Sequence, residues 1–82
     1  MGFVYILYSE KLDRYYIGST IDVNQRLEQH NSGRNKSTKA GAPWVIKFYQ
    51  EFEDISEARS YVYALKKKKS RKYLEYLISS AG

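Results

Sequence analysis

Phe3-Val4-Tyr5-Ile6-Leu7-Tyr8 is an unbroken apolar and aromatic run with no polar position to mark a solvent face. Such a run reads as a strand buried on both faces. Ser9 to Arg14 is polar and shows no helical period, and Tyr15-Tyr16-Ile17-Gly18-Ser19-Thr20 reads as a second strand. The first twenty residues are therefore expected to form an antiparallel hairpin, centred near Glu10-Lys11. Asp22 can cap a helix, with Gln25 three residues on completing a capping box. That helix should run to about Ser32 and stop at Gly33, the left-handed C′ residue. Residues 33–43 (GRNKSTKAGAP) read as a loop, and Trp44 to Tyr49 as a third strand. Ser56 is expected to cap a second helix, with Glu57 in the first turn where the dipole favours an acid. Ala58, Tyr61, Val62 and Leu65 make one apolar stripe along it. Ser70 should cap a third helix whose buried face carries Tyr73, Leu74, Leu77 and Ile78. The pattern predicts an α+β fold: a three-stranded antiparallel sheet flanked by helices, in the order β-β-α-β-α-α.

Eighty-two residues make one domain, 1–82, because a chain this short cannot build two cores. Nine Tyr, three Phe and one Trp supply the bulk that so small a core needs. There is no cysteine, which excludes disulfide frameworks, Cys-based zinc sites and thiol catalysis. One histidine, His30, excludes any mechanism that needs two imidazoles. No apolar run approaches the length of a membrane span or a signal peptide, so a soluble, cytoplasmic protein is expected. Fourteen Lys and Arg against nine Asp and Glu give a net charge of +5, which points to a polyanionic partner, nucleic acid first among them.

Several residues could carry chemistry on such a partner. Tyr5 and Tyr16 lie on the paired strands, and a regular hairpin centred near Glu10-Lys11 sets them directly opposite each other. Two adjacent phenols can orient a water, and one that loses its proton can act as a general base. A cross-strand aromatic pair in a core is the plainer alternative. Arg26 and His30 stand four apart and share a helix face. A guanidinium can clamp a phosphate and stabilise charge growing on it, and an imidazole can hydrogen-bond the phosphate or relay a proton. Here the plainer alternative is a solvated face. Arg34, Lys36 and Lys39 lie in the loop between Gly33 and Gly41, where they suit backbone phosphate contacts that carry no sequence information. Lys66 to Lys69, with Arg71 and Lys72, form the densest run of charge, read as a solvated face or a second backbone grip. Trp44, after Pro43, reads as core or rim packing.

Val4-Tyr5-Ile6 and Tyr16-Ile17-Gly18, eleven residues apart from Tyr5 to Tyr16, followed by Arg26-Leu27-Glu28-Gln29-His30-Asn31 and Lys69-Ser70-Arg71-Lys72, resemble the GIY-YIG nuclease superfamily. The resemblance runs from about Phe3 to Ile78 and is to its small stand-alone bacterial members. It implies phosphodiester hydrolysis of DNA, with Tyr5 and Tyr16 at the reaction centre, Arg26 in the catalytic arginine position and His30 in a position that several members use. It implies sequence-independent backbone contacts, a role in DNA repair or recombination, and specificity drawn from a protein partner, a dimer or DNA shape. A divalent metal, magnesium or manganese, is also implied, held by a glutamate four residues beyond Ala58. That position is Val62, so no metal ligand is assigned in this chain. Valine has no oxygen for a hard cation. The family's late asparagine also has no counterpart, since Asn24, Asn31 and Asn35 all come early. A catalytically silent nucleic-acid-binding module is the second reading, and a protein-interaction domain with a tyrosine-rich surface the third.

Overall fold

The run from Phe3 to Tyr8 becomes the middle of a sheet. A computed structural model describes residues 1–81 and shows three antiparallel strands, β1 (Gly2–Ser9), β2 (Arg14–Thr20) and β3 (Trp44–Phe52), in the spatial order β2-β1-β3. As the central strand, β1 needs apolar residues on both faces, which explains why its sequence does not alternate. Val4 and Ile6 pack on one face with Ile17 and Phe48. Tyr5 and Leu7 pack on the other with Trp44.

Each face has its own helices. α1 (Val23–Asn31) contributes Val23 and Leu27 to the Tyr5 side. α2 (Ile55–Lys68) and α3 (Arg71–Ala81) cover the Val4 side, with Ala58, Val62, Leu65 and Leu74 buried. The apolar stripe predicted for α2 is thus its core face, with Tyr61 half-buried at its margin. Helix ends follow local chemistry. Asp22 accepts the Gln25 N–H, and Gly33 lies at φ +80° just past α1. Ser70 accepts the Tyr73 N–H at the start of α3.

Two expectations need correction. The cap of α2 is Asp54, whose carboxylate accepts the Glu57 N–H at 2.9 Å and the Ser56 hydroxyl at 2.6 Å. Asp and Ser are comparable caps, but the helix begins at Ile55, which leaves Ser56 already inside it. The hairpin is also centred one residue later than Glu10-Lys11. Ser9 pairs with Arg14 and residues 10–13 form the loop, with Asp13 in the left-handed region at φ +51°. Tyr5 therefore faces Gly18 and Leu7 faces Tyr16. A slip of two residues keeps every side chain on its predicted face.

The hairpin loop is anchored at both sides. Ser9, fully buried, donates to the Gly41 carbonyl at 2.6 Å and accepts the Leu12 N–H at 3.1 Å. Arg71 of α3 reaches Asp13 at 2.7 Å and Glu75 at 3.2 Å. The Arg71 guanidinium and the Tyr8 hydroxyl together hold the Asp13 carboxyl below the usual carboxylate range.

Candidate functional site

Because of that register, Tyr5 and Tyr16 are diagonal neighbours rather than opposites. Their rings stack at 26° with centroids 6.4 Å apart, within reach of a diagonal aromatic pair. Gly18 makes this possible. A Cβ there would lie 2.6 Å from Tyr5 Cζ and clash with the Tyr5 hydroxyl as well, so only glycine lets the Tyr5 ring lie across β2.

His30 closes the group from α1. Its ring lies 4.9 Å from that of Tyr16 and 6.0 Å from that of Tyr5. His30 is fully buried, and both nitrogens are bonded: Nε2 to the Tyr5 hydroxyl at 3.1 Å, Nδ1 to the Thr38 hydroxyl at 2.7 Å. Burial, helped by the nearby Arg26 charge, lowers the His30 pKa below its ordinary value, so the ring is neutral at neutral pH. Burial raises the Tyr5 phenol, with Arg26 pulling it the other way, so Tyr5 keeps its proton. The pair is thus a neutral phenol against a neutral imidazole.

Arg26, one helical turn before His30, is half-buried. Its Nη1 donates to Gln29 Oε1 at 3.0 Å, but its Nε is buried with no hydrogen-bond partner among the described residues. A buried donor left unpaired costs about 1–3 kcal/mol, a cost that an arriving anionic oxygen would remove.

The structure therefore brings Tyr5, Tyr16, Arg26 and His30 together. Arg34, Lys36 and Lys39 are exposed cations on the loop that follows α1. Thr38, a residue that composition and motif gave no reason to single out, is the buried link between that loop and His30. The Trp44 indole N–H donates to the Thr38 carbonyl at 2.7 Å, so Trp44 is a core residue that also fixes the loop. Asn31 pairs reciprocally with the Trp44 backbone and ties α1 to the start of β3. From the lysine run, Lys66 alone comes near the phenols, with Nζ 5.9 Å from the Tyr16 ring centroid. Val62, one turn earlier, is only 8% exposed and packs among Ile17, Leu65 and Leu74. It offers no oxygen, and among the described residues no three His, Asp or Glu side chains form a metal-binding group. The residues present do not fit a divalent cation held from this position.

Comparison with known proteins gives the family. Residues 1–74 match the GIY-YIG catalytic domain. The chain belongs to the GIY-YIG family. It is 42% identical over 64 residues to a UPF0213 protein of Streptococcus pneumoniae serotype 4, covering 77% of this chain and 65% of that one. A UPF0213 protein of Listeria welshimeri is 40% identical over 65 residues, covering 78% of this chain and 72% of that one. The solution NMR structure of a UPF0213 protein from Bacillus halodurans superposes with a TM-score of 0.61 at 33% identity, over 100% of this chain and 87% of that one. This chain thus spans just under two thirds of the length of the pneumococcal relative. A GIY-YIG domain is of nuclease type, and nucleases of this family generally use divalent metals.

Proposed function

We propose that this GIY-YIG domain binds the backbone of DNA and hydrolyses its phosphodiester bonds at Tyr5, Tyr16, Arg26 and His30. The observation that carries the reading is the unpartnered, buried Arg26 Nε beside two phenols and a neutral imidazole. A phosphate oxygen would satisfy that donor, and the guanidinium would stabilise the extra negative charge as water adds to phosphorus. The attacking water would give its proton to the Tyr5–His30 pair as its oxygen bonds to phosphorus. The leaving oxygen departs with the electrons of the broken P–O bond and takes a proton from solvent. Lys66 adds positive charge at the Tyr16 end of the group.

Arg34, Lys36 and Lys39 would hold neighbouring phosphates without reading bases. Replacing Lys36 and Lys39 with alanine is expected to weaken DNA binding uniformly across sequences. The slope of log K against log salt should become shallower by about one unit for each phosphate that a lysine no longer neutralises. Equilibrium binding at several salt concentrations checks this, and an unchanged slope would remove the loop from the interface.

A catalytically silent binding module is the second reading, and one observation favours it: the apolar burial of Val62 where family nucleases carry a metal-binding carboxylate. Plasmid nicking with magnesium and with EDTA separates the two. The hydrolase reading expects nicking that falls on the order of a hundredfold in Arg26→Ala, while the variant remains folded. Retained DNA affinity without nicking in either condition would establish the binding module instead. A place in DNA repair or recombination, with a partner or a second copy supplying specificity, accords with either reading. No helix among the described residues is long and apolar enough to cross a membrane. The cytoplasm, where DNA is accessible, is the proposed compartment.

A further inference from the structure

We infer that the buried hydrogen-bond chain Tyr5–His30–Thr38–Asn35 runs in one direction, inward from the Tyr5 hydroxyl, and that Thr38 is the positioning residue that sets it. Two separate features lead to the same direction. The first lies at the inner end. The Thr38 hydroxyl has one proton and two neighbours, His30 Nδ1 at 2.7 Å and the Asn35 carbonyl at 3.4 Å. A carbonyl can only accept, so a Thr38 proton directed at Asn35 leaves the Thr38 oxygen to accept from Nδ1–H. A neutral imidazole carries one N–H, which leaves Nε2 bare to accept the Tyr5 O–H at 3.1 Å.

The second feature lies at the outer end. Among the described residues, His30 Nε2 is the hydrogen-bond partner of the buried Tyr5 hydroxyl. Were Nε2 a donor, the buried phenol would accept from it and its own proton would have no acceptor. Such a proton costs about 1–3 kcal/mol. With Nε2 bare, every proton in the group is used once.

The consequence deepens the proposed hydrolase site and rests on that reading for its use. Tyr5 keeps its proton, but a base already stands on it, with its second nitrogen held by Thr38. If His30 takes the Tyr5 proton, the imidazolium keeps its Nδ1–H on Thr38 and the Tyr5 oxygen becomes a phenolate; no other bond is made or broken. Thr38 sits between Lys36 and Lys39, and its carbonyl is fixed by Trp44. The orientation of the base therefore depends on the loop proposed to hold phosphate.

Nitrogen-15 NMR of the single histidine reads the tautomer directly and needs no activity. Tyr5, Tyr16 and Arg26 are titratable or charged side chains that face His30. The expected spectrum is one neutral tautomer at neutral pH and above, protonated at Nδ1 and bare at Nε2. Thr38→Val keeps the shape and removes the acceptor, so the Nδ1–H form should lose its dominance. Thr38→Ser should restore it. A wild-type ring protonated at Nε2, or a tautomer unchanged in Thr38→Val, would overturn the inference. If the valine variant does not fold, the wild-type and serine spectra decide. The plasmid assay separates the two ideas: an Nδ1–H tautomer in a protein that never nicks DNA leaves the chain's direction standing and removes the hydrolase reading.

Discussion

Gly18→Ala should destabilise the fold by about 3 kcal/mol or more and disrupt the site with it. A Cβ at position 18 would come within 2.6 Å of Tyr5 Cζ. The Tyr5 ring is only 2% exposed and is bonded through its hydroxyl to His30, so it has nowhere to retreat without breaking that bond or moving β1. β1 is the central strand, paired on both sides, and a shift there disturbs both partners. Gly33→Ala is the control. Its φ of +80° is unfavourable for alanine, but its Cβ would meet nothing closer than Lys39 Cγ at 3.7 Å. About 1 kcal/mol is expected there, from backbone strain alone. Denaturant midpoints of both variants measure the contrast, and equal losses would show that crowding against Tyr5 is not what requires glycine at position 18.

Val62→Glu should be the second large effect. Val62 lies in the cluster of Val4, Ile6, Ile17, Phe48, Ala58, Leu65 and Leu74, an apolar setting for a carboxylate. Burial would raise the new glutamate's pKa above its ordinary value of about 4.3. A poorly solvated carboxylate there should cost about 2–4 kcal/mol at neutral pH. A folded-state pKa raised above the unfolded value makes the folded form bind more protons between the two. The deficit relative to wild type should therefore shrink as pH falls through that window, and stay constant above it. Urea melts of both proteins at several pH values test this. A variant as stable as wild type at pH 7 would mean that the side chain reaches solvent or a counter-charge, and that position 62 opens toward the site.

Much of this was legible in the sequence because the signals were local or periodic. The unbroken Phe3–Tyr8 run, the Ala58–Leu65 stripe and the Asp22 cap each depend on neighbours within a turn or a strand. The spacing of Arg26 and His30 likewise carried through to the structure, because four residues on a helix give one face. What escaped depends on how distant pieces meet. The hairpin loop has four residues because Asp13 adopts a left-handed conformation and Ser9 caps Leu12, and neither leaves a motif. That shift made Tyr16 the diagonal neighbour of Tyr5 and put Gly18 opposite it. Thr38 looked like one more polar loop residue. Its part arises only when the loop folds back under Trp44 and places its hydroxyl against a ring eight residues earlier. Val62 could be read both as an apolar stripe position and as a departure from the family pattern, and its burial in the apolar cluster fits both descriptions.

The central claim is that a nucleic-acid phosphate occupies the place beside Arg26, where a buried donor has no partner. The Arg26 Nε–H signal, followed by NMR as a short DNA duplex is added at low salt in EDTA, tests it most directly. The expected result is a saturable shift of that signal and slower exchange of its proton with solvent, accompanied by shifts at Tyr5 and Tyr16. An Arg26 Nε–H that stays unchanged while the signals of Arg34, Lys36 and Lys39 move would contradict the claim and place DNA on the loop alone.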